Sequence, residues 1–391
     1  MKTRSSLAVT QLARAAILGW LTGVVAALLS GCATSPKESE VQHLAWPPPP
    51  QTARIEFVRN YVSDEDLEHD TTFSQRVMNF VRGDKPTVNR IAEPMGLAVS
   101  DDGKRLYVSD FGHLAVFVFD FEKNSFAKIG TSERLARPVG LTLDAQENVY
   151  VVEQEKKGIG VFDRAGNRLR FITDPSIERP TGIALDRTHG WIYLADTGHS
   201  KSKTHTVKVF DLNGKLLRSI GGAKGDKPGH FMFPTYLAVD DAGNLYVTDT
   251  LNSRVQKFDP QGKYLQTFGG RGNAWGMFDK PKGVALDQFG NVYVADSGWS
   301  NVQIFNQKGQ VLLFFGGRGP IPGMLKNPTA VTIDRNNLIY VADYLNHRIG
   351  VYRLINTTAA DSFLNPPAAE STTTNAVERV ASDAGAPAPR Q

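Results

Sequence analysis

Between residues 94 and 354 apolar and polar positions alternate in short runs, and the runs themselves come back. The segment GNVYVADSGWSNVQIF at 290–305 has counterparts in GNLYVTDTLNSRVQKF at 243–258 and NLIYVADYLNHRIGVY at 337–352. Alternation with β-branched and aromatic residues on one set of positions is the pattern of a half-buried strand. Around residue 290, GVALD, NVYVAD, NVQIFN and VLLFFG read as four successive strands, and DQFGN and NQKGQ place glycine where a hairpin needs positive φ. GVALD is apolar on both faces, as a strand covered from both sides requires.

This unit occurs six times. A proline opens each copy, at Pro94, Pro138, Pro180, Pro234, Pro281 and Pro328, and an apolar anchor stands three residues earlier, at Ile91, Leu135, Ile177, Phe231, Phe278 and Leu325. A tyrosine follows (Tyr107, Tyr150, Tyr193, Tyr246, Tyr293, Tyr340), then a carboxylate (Asp110, Glu153, Asp196, Asp249, Asp296, Asp343), then an aromatic (Phe119, Phe162, Phe210, Phe258, Phe305, Tyr352). Meanders of this size cannot bury both faces alone, and their radial packing predicts an all-β, six-bladed β-propeller. The last unit lacks a fourth strand, while ARIEFVRNYV at 53–62 is a strand without a unit. We expect this N-terminal strand to join the last blade and close the ring, leaving no free edge. TFSQRVMNFVR at 72–82 reads as a short amphipathic helix, with Phe73, Val77, Phe80 and Val81 on one face.

The motifs P-x-G-[VIL]-A-[VL]-D, G-N-[VL]-Y-V-[AT]-D and N-x-R-[VI]-x-x-F, with G-G-x-G linkers, resemble the NHL repeat. With the chain's ends, they are similar to bacterial NHL-type six-bladed propeller lipoproteins. The resemblance implies the fold but not one activity, because such propellers include ligand scaffolds, sensor ectodomains, RNA binders and lyases.

The ends add an expected location. Lys2, Arg4 and Arg14 precede an apolar run from Ala15 to Leu29, with no acid among the first 32 residues, which is the layout of a secretory signal. Leu29-Ser30-Gly31-Cys32 resembles the lipobox, in which the Cys receives the lipid. The expected division is 1–31 signal peptide, 32–53 lipidated Cys32 and Pro-rich spacer, 54–354 propeller and 355–391 disordered tail. The expected place is the cell envelope, lipid-anchored, at the outer membrane by resemblance, since Ala33 rather than Asp follows Cys32. Cys32 is the one cysteine, so no disulfide, thiolate metal site or Cys nucleophile is available. The formal charge of +4 includes the three cations of the signal, and the remaining near-neutral balance gives no reason to expect nucleic acid as a partner.

In a propeller the linkers before the prolines and the turns after the carboxylates share one face, called top here. The carboxylate column reads first as turn capping, since it recurs in every unit, rather than as metal ligation. Glu153, in the turn EQEKKG, is its one departure. His113, His199 and His347 follow the column carboxylates, with His205 and His230 in other top-face loops. Three imidazoles there would take zinc, but the histidines do not share one offset. Cations gather in the same loops: Lys224, Arg271 and Arg318 in Gly-rich linkers, and Arg137, Arg179 and Lys280 directly before prolines. Trp275 and Trp299 lie among them. No G-x-S-x-G, H-E-x-x-H or P-loop occurs. The first expectation is therefore a non-catalytic binding module for a protein, glycan or anionic small molecule, without a cofactor. The alternative is a lyase or hydrolase using histidine-bound zinc at the channel mouth, with calcium as the other ion considered.

Overall fold

The computed structural model describes residues 44–67, 88–131 and 133–357. The helix expected at 72–82, the signal with Cys32, and the tail from 358 lie outside the described residues. Six antiparallel sheets stand in a ring, each starting from the strand that its proline opens. These inner strands are Pro94–Val99, Pro138–Leu143, Pro180–Asp186, Pro234–Val239, Pro281–Leu286 and Pro328–Ile333. Each touches the next, and the last touches the first, so the protein is a closed six-bladed β-propeller.

Blade six is completed as the sequence implies. Arg348–Leu354 pairs with Ile55–Tyr61, placing Ile55 opposite Leu354 and Tyr61 opposite Ile349. One strand more is present than expected, because Ala45–Trp46 pairs with Glu56 and Ile55 on the outside. The stretch expected to serve as spacer is thus partly docked. Its indole explains why: Trp46 lies 6.1 Å from Phe315 and 5.9 Å from Tyr352, centroid to centroid, bridging blades five and six. An aromatic side chain removes more apolar surface from water there than along a solvated linker.

The repeat columns have separable jobs. Anchors and distal aromatics are buried between blades, as are the tyrosine rings. The tyrosine hydroxyls secure bottom turns. In blade five, Asp287 accepts the Asn291 N–H at 2.8 Å, the Asn291 side-chain amide at 2.9 Å and the Tyr293 hydroxyl at 3.1 Å. The same Asp–Asn–Tyr arrangement recurs in blades two and four.

Candidate functional site

The carboxylate column proves to be a clamp on the incoming chain as well as a turn cap. Asp296 accepts N–H bonds from Asp279 at 2.8 Å and Lys280 at 3.0 Å, the two residues before Pro281, and from Gly298 at 2.9 Å in the following turn. Asp110, Asp196, Asp249 and Asp343 hold the linkers of their own blades in the same way. Burial pushes the carboxyls of Asp249, Asp296 and Asp343 above their ordinary range. In blades four and six an arginine answers the charge, Arg254 to Asp249 at 2.8 Å and Arg348 to Asp343 at 3.0 Å. Blade two uses the longer Glu153, which reaches the Ala136 N–H at 3.1 Å and Arg168 at 2.6 Å. With these carboxylates committed to backbone, the column is structural.

Above the channel the top face opens into a cup of about 650 Å³, lined from all six blades. In five blades the residue after the column carboxylate reaches its rim, while Ser297 of blade five lines a neighbouring recess instead. Gln154, Thr197 and Thr250 donate to the carbonyls of Pro180, Pro234 and Pro281 in the next blade, at 3.1, 2.6 and 2.6 Å. Blades one and six present Phe111 and Tyr344 at the same position, so the cup has an aromatic side.

Tyr236 makes the floor. Four blades place glycine two residues after the opening proline, because the inner strands crowd there: a Cβ at Gly182 would sit 2.3 Å from the Thr235 carbonyl oxygen, and one at Gly283 2.6 Å from the Ala330 Cα. Blade four carries a tyrosine instead, and its hydroxyl donates to the Met95 carbonyl at 2.7 Å, on the opposite blade. Below this crossbar lies a separate cavity of about 350 Å³ around the inner-strand ends. Burial raises the Tyr236 hydroxyl well above its ordinary pKa, so the donor stays protonated.

The candidate residues fall into three groups. Arg137, Arg179 and His199 border the cup; Lys280 and Arg318 border a second top-face recess between blades five and six; Arg271, Trp275 and Trp299 line neither. Arg137 stacks over Phe111 at 4.9 Å and approaches Glu155 at 3.5 Å. Lys224 is tied to the Ser200 carbonyl at 3.0 Å and lies 5.7 Å from the ring of Phe233, a cup residue. Arg271 and Arg318 make matching bonds, to Leu251 O and Gly298 O, both at 3.3 Å. Trp275 leans on Phe314 of an outer strand, and the Trp299 indole donates to Gly272 O at 3.1 Å.

The histidines are dispersed. His113 is held at 3.0 Å from Asp110, and His347 meets the Ala92 carbonyl. His205, expected in a loop, is instead a fully buried strand residue whose Nδ1 accepts the Phe233 N–H at 2.9 Å. That placement follows from the blade-three strand beginning at Thr204. Among the described residues no three His, Cys, Asp or Glu side chains group so as to hold a metal ion. Two cup residues escaped sequence reasoning although the columns mark them. Tyr236 is the one large residue in the Gly/Ala position, and Lys282 is the one charged residue directly after an opening proline.

Residues 62–195 match the SMP-30/Gluconolactonase/LRE-like region, and residues 231–258 and 325–352 match the NHL repeat. The protein is a six-bladed β-propeller of NHL-repeat type, and its first part is gluconolactonase-like. Among curated proteins it is similar to Protein brain tumor of Drosophila melanogaster, with 26% identity over 151 residues, 37% of this chain and 14% of that protein. It is also similar to a probable peptidyl-alpha-hydroxyglycine alpha-amidating lyase of Caenorhabditis elegans, with 29% identity over 123 residues, 30% of this chain and 31% of that one. The chain therefore spans less than a third of either relative. Of solved structures, a gluconolactonase from Xanthomonas campestris superposes with a TM-score of 0.54 at 17% identity, over 68% of this chain and 86% of that one. A streptogramin B lyase does so at 0.51 and 13%, over 68% and 94%. At these identities the likeness is one of fold.

Proposed function

We propose that the protein is a binding module whose top-face cup holds an anionic ligand, a small molecule, glycan or acidic protein segment. The observation that carries this reading is the Tyr236 crossbar, which turns an open channel into a floored cup. Four cations line that cup, Arg137, Lys157, Arg179 and Lys282, against two carboxylates, Glu155 and Glu178. A cup of this size with an aromatic side and a cationic surplus suits a ligand with an apolar body and negative charge. In this reading Cys32 carries the lipid that tethers the module in the cell envelope, at the outer membrane; fatty-acid labelling that persists in Cys32→Ser would refute the tether.

The binding test is a panel of acidic and neutral glycans and peptides measured against wild type and Arg137→Glu/Arg179→Glu. Acidic members should bind preferentially and lose at least tenfold in affinity in the double variant. No preference for acidic members would remove the reading. Zinc-dependent lyase or hydrolase chemistry stands second, because only His199 of the three candidate histidines borders the cup. About one zinc per purified chain, lost in His199→Ala, would bring it forward.

A further inference from the structure

Between blades five and six the top face holds a recess of about 320 Å³, distinct from the cup and joined to it through Lys282, which lines both. Lys280, Lys282, Arg318 and Lys326 line it, and Asp279 is the single carboxylate that does. The contacts these cations make bring no negative charge. The Lys282 ammonium meets Asn327 Oδ1 at 3.2 Å, and Arg318 meets the Gly298 carbonyl at 3.3 Å. Arg254, Arg348 and Lys156 on the same face each meet a carboxylate, whereas Arg271 and Lys224 meet backbone carbonyls but lie outside the recess. Burial, and then the charge of Lys280, push the Lys282 ammonium below its ordinary pKa. A partly buried cation without a counterion is costly unless something supplies one.

We propose that this recess is a subsite for a tetrahedral dianion, the phosphate monoester group of a ligand whose body lies in the cup. Four cations against one carboxylate leave an excess of three positive charges, which a monoanion answers only in part. A phosphate monoester carries roughly 1.5 to 2 negative charges near neutral pH. The guanidinium of Arg318 offers a planar fork to two of its oxygens, while the lysines act as point charges around it. The placement of the ligand body rests on the cup reading, but the dianion subsite is measured without it.

The experiment uses the full chain with inorganic phosphate, sulfate and acetate, compared by calorimetry and thermal melts at constant ionic strength. Phosphate and sulfate should bind saturably and raise the melting temperature, and acetate should do neither. Lys282→Gln and, separately, the exposed Arg318→Gln should each weaken phosphate binding at least tenfold, while Lys308→Gln, an exposed cation in a bottom turn of blade five, leaves it unchanged. Melts without added anion establish that each variant is folded, and Arg318→Gln carries the test if Lys282→Gln is not. Equal responses to all three anions, or unaltered phosphate affinity in the folded recess variants, would overturn the subsite. Loss of acidic-ligand binding in Arg137→Glu/Arg179→Glu would then still support the cup, and phosphate binding without cup binding would leave the recess standing alone.

Discussion

Ring closure by Ile55–Tyr61 makes a quantitative demand on one side chain. Ile55 is fully buried and belongs to a cluster that includes Phe315 and Leu325 on one side and Tyr352 and Leu354 on the other. Truncating it removes three heavy atoms from a packed site, and Ile55→Ala should cost about 2–5 kcal/mol. For a domain of this size each kcal/mol corresponds to roughly 2–4 °C, so the midpoint should fall by about 4–20 °C. The neighbouring Glu56→Ala is the control. It removes a 3.3 Å pair with Arg353 that lies in solvent, worth about 1 kcal/mol or less. Deleting 358–391 should leave the midpoint unchanged. Reversible urea or thermal melts of the three variants decide it, and an Ile55→Ala midpoint within about 1 °C of wild type would mean that the strand does not hold the ring together.

Asn301 stands in blade five where Arg254 and Arg348 stand in blades four and six, and its buried Oδ1 has no hydrogen-bond partner. Asn301→Arg should answer Asp296 and the carbonyls of the adjoining linker and stabilise by about 1.5–3 kcal/mol, read as a higher urea midpoint; a loss of stability would show that the blades are not interchangeable there. Tyr236→Gly restores the column's usual residue and joins the cup to the lower cavity, so binding of acidic ligands should fall at least tenfold with the fold retained by circular dichroism. Unchanged binding would show that the floor is irrelevant. Burial lowers the His205 pKa, so the native state binds its proton more weakly than the unfolded chain, and stability present above the ordinary value of about 6.5 should be lost as pH falls below it. His205→Asn keeps an acceptor for the Phe233 N–H and should flatten this dependence in urea melts at pH 7.5 and 5.5; identical slopes for both proteins would refute the assignment.

The fold was legible because its instructions are repeated. The anchor Phe278, the ring Tyr293 and the aromatic Phe305 sit where their columns imply, since the same burial recurs between every pair of blades. The closing strand could be read from one missing strand and one supernumerary strand. What escaped is what occurs once. Ala45–Trp46 is too short for periodicity, and only the tertiary gap beside Phe315 and Tyr352 gives it a place. The top-face cations were recognisable as residues of one face, but sequence offset could not say which share a cavity. Arg271 and Arg318 have matching linker positions and yet line different surroundings, because each extends over the turn of the preceding blade.

A closed ring of like units supplies its own reasoning about function. Whatever the ring needs at a given column it needs in each blade, so a side chain that appears once at a column filled otherwise elsewhere is not explained by closure. Tyr236 among glycines and alanine, and Lys282 among apolar and hydroxyl residues, are such departures, and both face the top of the channel. Lys282 is costly in an empty ring, since it leaves a partly buried charge with only an amide oxygen for company. On the reading proposed above, an anion on the top face gives both a use, since Tyr236 closes the space beneath it and Lys282 supplies charge from the wall that cup and recess share. On that reading the two departures and the surplus of positive charge serve one proposed occupant, whose negative end would lie towards blades five and six.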